Sequence, residues 1–247
     1  MKDPIRLFVG YDPREAAAYH VFCQSVIEHT SMPVAFMPLS ISMLGDYGCE
    51  SDGSNAFTLS RYLVPFLCDF VGWAIYADGD MLCQRDLAHL WAQRLNGTLT
   101  RAVSVVQHDY HTTHRRKYVG SSMESVNNDY PRKNWSSLML WNCSHFGNRG
   151  MTPEWVRSCA PAFLHRFQWL APHHVGALPP EWNHLVGEYA PQEAAVYHYT
   201  LGVPGLTHYA DCEGAEPWHR TLLNALGCAG EKASHLTLRA ESRCEIR

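Results

Sequence analysis

The 247-residue sequence contains no apolar run that approaches the length of a membrane span. Its start, Met1-Lys2-Asp3-Pro4, has no apolar signal core, so the chain reads as cytosolic, with no transmembrane segment. Nine cysteines are scattered without a single Cys-x-x-Cys pair, which argues against a zinc site or a redox motif. Most lie in apolar surroundings, where a reduced thiol is simply a small core residue. No Gly-x-Gly-x-x-Gly follows an apolar run, which disfavours a dinucleotide-binding oxidoreductase. Basic residues are not in excess: 20 Lys and Arg face 24 Asp and Glu, for a formal net charge of −4. General affinity for nucleic acid needs many cationic contacts to phosphates and is therefore not expected. There is no internal repeat, no low-complexity tract and no signature of an oligomeric state.

What is present supports a substantial core, with 46% hydrophobic and 18% charged residues. Ile5 to Val9 predicts a buried first strand ending in Gly10. Asp12-Pro13-Arg14-Glu15 has the composition of a helix start, and apolar spacing carries that helix to about His29. Val34 to Leu39 predicts a second strand, and Gly45 to Asn55 a loop. Phe57 to Cys68 has helical character, with Pro65 marking a kink or a last turn. Val71 to Ala77 predicts a strand, and Asp86 can cap a helix to about Leu95. Ala102 to Gln107 and Ser137 to Trp141 are further strands. Thr152-Pro153-Glu154 opens a helix to around Phe167, and Ala194 to Tyr199 is a late strand. Strands alternating with helices predict an α/β fold with a mostly parallel central sheet. The polar stretch from His108 to Lys133 is long for a structureless loop and suggests function or a small subdomain.

Chemistry concentrates at Asp78-Gly79-Asp80, directly after the third predicted strand. Asp-Gly is turn chemistry, yet two carboxylates at the carboxyl end of a buried strand can also clamp a hard divalent cation. Open α/β sheets bind ligands at that end. The segment Gln107 to Lys117 gathers His108, His111 and His114 with Arg115, Arg116 and Lys117. It has no helical periodicity to align the histidines on a metal, so a cationic loop near an anion and a plain solvated loop both stay open. Lys133-Asn134-Trp135-Ser136-Ser137 reads either as a sugar-binding polar cluster or as the ordinary start of a strand.

Phe57-Thr58-Leu59-Ser60-Arg61-Tyr62, Ile75-Tyr76-Ala77-Asp78-Gly79-Asp80 and Asp86-Leu87-Ala88-His89-Leu90-Trp91 together resemble the central block of the glycogenin-like (family eight) glycosyltransferases, in a divergent bacterial-type form. Phe8-Val9-Gly10-Tyr11-Asp12 is similar to that family's first strand and uracil-binding turn. His198-Tyr199-Thr200-Leu201-Gly202 is similar to its late metal-ligating region. The resemblance runs from residue 5 to about 205. It implies a GT-A fold over residues 1–210, with 211–247 as an extension packing on the same domain through Trp218 and Leu222-Leu223. It further implies a hexosyl transfer from a nucleotide-sugar, a UDP-sugar by analogy, to a hydroxyl-bearing acceptor, with retention of configuration. Asp78, Asp80 and His198 would hold Mn²⁺ or Mg²⁺, an imidazole among oxygens favouring Mn²⁺. Arg61 would steady an Asp carboxylate and contact the donor. Gly10, Tyr11, Asp12, Lys117, Asn134 and Ser136 would complete the donor site, Asp12 having a second reading as a helix N-cap.

The departures from the family pattern matter equally. Trp135-Ser136-Ser137 stands where the family has Asn-x-Gly. No Asp-Gln pair precedes Trp182-Asn183, Gln168-Trp169 being the nearest remnant. Gly202-Val203-Pro204-Gly205-Leu206 lacks the family's diphosphate-binding Lys. A sugar-phosphate nucleotidyltransferase is the enzymatic rival, although Gly10-Tyr11-Asp12-Pro13 is a poor triphosphate loop. A non-catalytic nucleotide-sugar-binding protein is the rival from another class.

Overall fold

The computed structural model describes residues 3–47, 55–95 and 100–228. Strand β1 (Ile5–Gly10) leads into a short 3₁₀ turn at Pro13–Glu15 and then into helix α1 (Ala16–His29). Asp12 caps the turn by accepting from the Arg14 amide, and Pro13 supplies the fixed φ that suits a helical start. Strand β2 (Val34–Leu39) follows, then the single-turn helix α2 (Ile41–Leu44).

The expected helix from Phe57 to Cys68 is split into a 3₁₀ turn, Ser60–Leu63, and the short α3 (Val64–Leu67), with Pro65 in its first turn. Proline carries no N–H, so it fits where that donor has no helical partner. Strand β3 (Trp73–Ala77) begins two residues later than expected, because Gly72 adopts φ 73° and Val71 is exposed. Next come β4 (Met81–Cys83), α4 (Leu87–Ala92) and β5 (Val103–Val105). The stretch from His108 to Lys133 holds a small hairpin, β6 (Arg116–Lys117) with β7 (Ser125–Val126).

Strand β8 (Leu138–Asn142) precedes two helices, α5 (Pro153–Ser158) and α6 (Pro161–His165), where the spacing predicts one. Pro161 pushes the residue before it out of the helical region, and Ala160 is indeed extended, with φ −64° and ψ 137°. The chain continues through β9 (Val175–Ala177), β10 (His184–Leu185), β11 (Val196–His198) and α7 (Ala215–Ala225). Strands β4, β9 and β10 have no counterpart in the sequence-based reading, since two or three residues are too few to show a period. Part of the predicted loop Gly45 to Asn55 and residues 229–247 of the predicted extension lie outside the described residues.

The main sheet has the order β2-β1-β3-β8-β5-β9. Pairs β1–β2, β1–β3 and β5–β9 are parallel, while β8 runs antiparallel to both β3 and β5. The fold is thus α/β with a mostly parallel sheet. Alternate side chains feed two cores, which is why these strands read as continuous apolar runs. Leu7, Val9, Ile75, Ala77 and Leu140 meet Phe22 and Val26 of α1 on one face. Phe8, Tyr76, Met139 and Trp141 pack with Tyr62 and Leu164 on the other. Each fully buried Val, Leu, Ile, Phe or Met among them contributes roughly 1.5–3 kcal/mol. A third cluster docks α7 on α1, with Trp218 against Ala18, Val21, Leu82 and Tyr199.

A second, three-stranded sheet has the order β10-β11-β4. It grows from the carboxyl end of β3 and is what assembles the site. No helix among the described residues is long and apolar enough to cross a membrane. The seven described cysteines are all free, as their apolar surroundings suggest.

Candidate metal centre

Gly79 is the hinge between the two sheets. A methyl group at its Cα would run into the backbone oxygen of Gly10, so only glycine lets β1 and the turn after β3 approach this closely. Gly10 is constrained in the same way, since a Cβ there would meet the ring of Phe57 at 2.5 Å. On either side of Gly79, Asp78 follows directly on β3 and Asp80 leads into β4. Strand β11 pairs antiparallel with β4, placing His198 opposite Met81, and the Tyr199 amide donates to the Asp80 carbonyl at 2.9 Å. This pairing carries a histidine 118 positions downstream to the side of Asp80. One ligand atom each from Asp78, Asp80 and His198 lie within 4.8 Å of one another, and all three residues are buried.

Each member has its own support. Arg61, only 5% exposed, forks onto Asp78 with Nη2 3.0 Å from Oδ1 and Nη1 3.4 Å from Oδ2. The same guanidinium donates to the carbonyls of Thr58 (3.0 Å) and Ser136 (2.9 Å), and it lies over the ring of Tyr76 at 5.2 Å. Burial alone would lower its pKa, but Asp78 beside it reverses the sign and the net shift is upward. Tyr76 donates its hydroxyl to Asp78 Oδ1 at 2.5 Å. Burial pushes the Asp78 carboxyl above the usual carboxylate range, Arg61 opposes that rise and the charge of Asp80 adds to it. A further positive charge at this point would favour the ionised form of Asp78 and offset its repulsion with Asp80.

Asp80 Oδ1 is buried without a hydrogen bond, 3.4 Å from His198 Nε2. Its other oxygen receives the Tyr118 hydroxyl at 3.4 Å. Leaving a buried carboxylate oxygen unpaired is costly, and a cation is the natural partner. The tautomer of His198 is set from behind. Asn183 uses its Nδ2 to donate to Ser137 Oγ (2.9 Å) and to the Asn134 carbonyl (3.4 Å), so its Oδ1 faces His198 Nδ1 at 3.0 Å as an acceptor. Nδ1 then carries the proton and Nε2 presents its lone pair to the acids. This is the outer-shell arrangement that metal-ligating histidines use. Replacing Asn183 by Ala is expected to weaken Mn²⁺ binding by roughly 10–100-fold, measured by calorimetric titration of the metal; unchanged affinity would remove Asn183 from this role. Two carboxylates and a neutral imidazole suit Mn²⁺ or Mg²⁺.

The other predicted residues fall at different distances from this centre. Tyr11 follows β1, half-buried and edge-on to Tyr19 at 5.2 Å. Asp12 acts as the cap. Its Oδ1 accepts from the Arg14 amide and Nε (3.0 and 2.9 Å), and its Oδ2 from Arg14 Nη2 and the Ala56 amide (2.6 and 3.0 Å). These four bonds fill the carboxylate's lone-pair directions, so a contact with a base would require one to be given up. Lys117, on β6, sits among acids: burial lowers its pKa, and the charges of Asp80, Glu15 and Asp78 raise it. Asn134 adopts the left-handed conformation, φ 62°, and donates to the Tyr110 hydroxyl at 2.8 Å and to Thr200 Oγ1 at 3.4 Å. Ser136 is buried behind Arg61, with its hydroxyl 2.9 Å from Nδ1 of His165.

The histidines of the loop after β5 do not converge. His108 is buried beside Tyr189, where burial pushes its pKa down to about 3. His111 pairs with Asp129 at 2.5 Å, and His114 lies 3.7 Å from Glu188. Sequence reasoning missed Tyr76, Tyr118, Asn183 and Glu15 as members of the site. Glu15, seen only as part of a helix start, has a buried Oε1 without a partner, and burial together with Asp80 and Asp12 pushes its pKa up to about 9. A tyrosine inside a buried strand was the one available signal, because its hydroxyl must find a partner there.

No family model matches the chain. Protein CDI of Arabidopsis thaliana is 41% identical over 229 residues, which cover 88% of this chain and 85% of that protein. The chain belongs to the Protein CDI family. Among solved structures, the bifunctional glycosyltransferase WbbM superposes with a TM-score of 0.64 at 12% identity, covering 94% of this chain and 52% of WbbM. The apo form of the glycosyltransferase GlyE of Streptococcus pneumoniae TIGR4 gives 0.59 at 13%, covering 95% and 62%. The galactosyltransferase LgtC, solved with donor and acceptor sugar analogs, gives 0.56 at 14%, covering 92% and 97%. This member of the Protein CDI family therefore spans about half of WbbM and less than two thirds of GlyE. It shares with all three the GT-A glycosyltransferase fold.

Proposed function

We propose that the chain is a metal-dependent glycosyltransferase of the glycogenin-like type, moving a hexosyl group from a UDP-sugar to a hydroxyl-bearing acceptor with retention of configuration. The observation that carries this reading is the convergence of Asp78, Asp80 and His198 at the carboxyl end of the sheet, with Asp80 Oδ1 left unpaired. Mn²⁺ or Mg²⁺ held there would supply Lewis-acid stabilisation of the charge that builds on the departing diphosphate.

The protein's own residues do the positioning. Arg61 fixes Asp78, Asn183 fixes His198, and Lys117 adds a cation beside the acids. Lys117 comes from the hairpin, so it supplies from another element the cation that the segment after His198 lacks. Tyr11 and the Gly10 backbone lie at the end of β1, at the same pole as the acids, and would receive the uracil, while Asp12 holds the shape of that turn. Asn134 and Ser136 belong to the wall behind: Asn134 presents its amide between Tyr110 and Thr200, and Ser136 buttresses Arg61.

A screen of UDP-sugars with Mn²⁺, followed by release of UDP and of free or transferred sugar, tests the reading. UDP release from at least one donor is expected. Release of pyrophosphate from UTP plus a sugar phosphate would instead establish the nucleotidyltransferase.

A further inference from the structure

Beside the metal centre lies a hollow of about 340 Å³ between the hairpin and the segment that leads into β8. Its lining carries two lysines, Lys117 and Lys133, and no carboxylate. Lys133 is only 5% exposed, and its ammonium has lost part of its hydration, which lowers its pKa. Nζ donates to Asn127 Oδ1 and to the Asn128 carbonyl, both at 2.6 Å, and lies 5.7 Å from the centre of the Tyr130 ring. An ammonium has three protons, and only two are placed. No carboxylate lies within ion-pair distance of Nζ among the described residues. Asp129 and Glu188 act on it only from beyond ion-pair distance, Asp129 across a neighbouring hollow that Lys133 also lines.

The remaining lining has the chemistry a sugar needs, with amides from Asn127, Asn128 and Asn134, hydroxyls from Ser125 and Thr200, and the aromatic Tyr130. Lys117 lines the hollow and feels the charges of Asp80 and Asp78, which ties the hollow to the centre that would hold the diphosphate.

We propose that this hollow binds the oxyanion of an acidic sugar, a carboxylate or a phosphate, with Lys133 as its anchor and Lys117 as the cation shared with the diphosphate. The proposal rests on the transferase reading for its location and deepens it by naming a substrate class. The acidic sugar is either the donor's own residue or the acceptor. A charge-assisted bond to a desolvated ammonium is among the stronger polar contacts, while a neutral sugar would leave that ammonium as it is.

The test is calorimetric binding to the full chain. In one arm UDP-glucuronate and UDP-glucose are compared in the presence of Mn²⁺, with UDP as the reference. In the other, glucuronate and glucose 6-phosphate are compared with glucose, with and without UDP. An acidic member is expected to bind at least tenfold more tightly than its neutral partner in one arm, and the arm identifies the donor or the acceptor as its source. Lys133→Gln should remove that preference and Lys133→Arg should retain most of it. Equal affinities for acidic and neutral sugars in both arms would overturn the proposal, as would a preference that survives Lys133→Gln. Failure of UDP itself to bind would count against the transferase reading, and the free-sugar arm without UDP would still decide the role of the hollow.

Discussion

Asp80→Asn is expected to lower Mn²⁺-dependent release of UDP from the active donor by more than about 100-fold, beyond the 10–100-fold typical of outer-shell partners. The substitution keeps the size of the side chain and removes only the charge and one acceptor. Asp80 Oδ1 accepts no hydrogen bond within normal geometry and has only His198 Nε2 near it at 3.4 Å, so an amide there breaks no short hydrogen bond. Removing this buried carboxylate relieves its repulsion with Asp78 but forfeits the attraction of His198 and Lys117, which holds the Asp80 carboxyl below the usual carboxylate range. These effects oppose each other, so the melting temperature measured without metal should change little while activity falls. A variant that keeps full turnover would remove the acidic pair from the chemistry. One that loses activity only because it unfolds would show Asp80 to be structural.

Arg61→Met has the opposite signature. Arg61 meets Asp78, Thr58 and Ser136 at once, and no carbon chain replaces these contacts. Breaking a buried pair by deleting one partner costs about 3–5 kcal/mol, because the surviving charge stays in a dry site. For a domain of this size 1 kcal/mol moves the midpoint by about 2–4 °C, so thermal unfolding should fall by roughly 6–20 °C. Adding Asp78→Asn to Arg61→Met should restore part of the loss, since the stranded carboxylate is then gone. A double variant as unstable as the sum of the two single variants would show that Arg61 and Asp78 do not act as a pair.

Several features of this site were legible in the residues themselves. Asp-Gly-Asp after an apolar run marks the turn, and the contact of Gly79 with the Gly10 backbone explains why the middle residue is glycine. Arg61 and His198 were legible only by resemblance, because nothing local in the sequence says that a 3₁₀ turn and a three-residue strand will reach the same point. The physical link is β4. At three residues it is too short to show alternation, yet its pairing with β11 brings His198 to Asp80.

Asn183 was hidden for a similar reason. Its role depends on three hydrogen bonds to residues 15 to 49 positions away, and no pattern in its own neighbourhood encodes them. The helix expected from Thr152 to Phe167 shows propensity overruled by a single backbone constraint at Pro161, which splits it in two. Asp12 shows two chemistries competing for one carboxylate, with capping and the Arg14 and Ala56 contacts taking all of its lone pairs.

The central claim is that Asp78, Asp80 and His198 hold a divalent cation that in turn holds a nucleoside diphosphate. Calorimetric titration of UDP into the metal-free protein, repeated with Mn²⁺ present, tests it most directly. Binding is expected only with the metal, and it should be lost again in Asp80→Asn. UDP affinity that is the same with and without Mn²⁺, or absent in both cases, would contradict the claim.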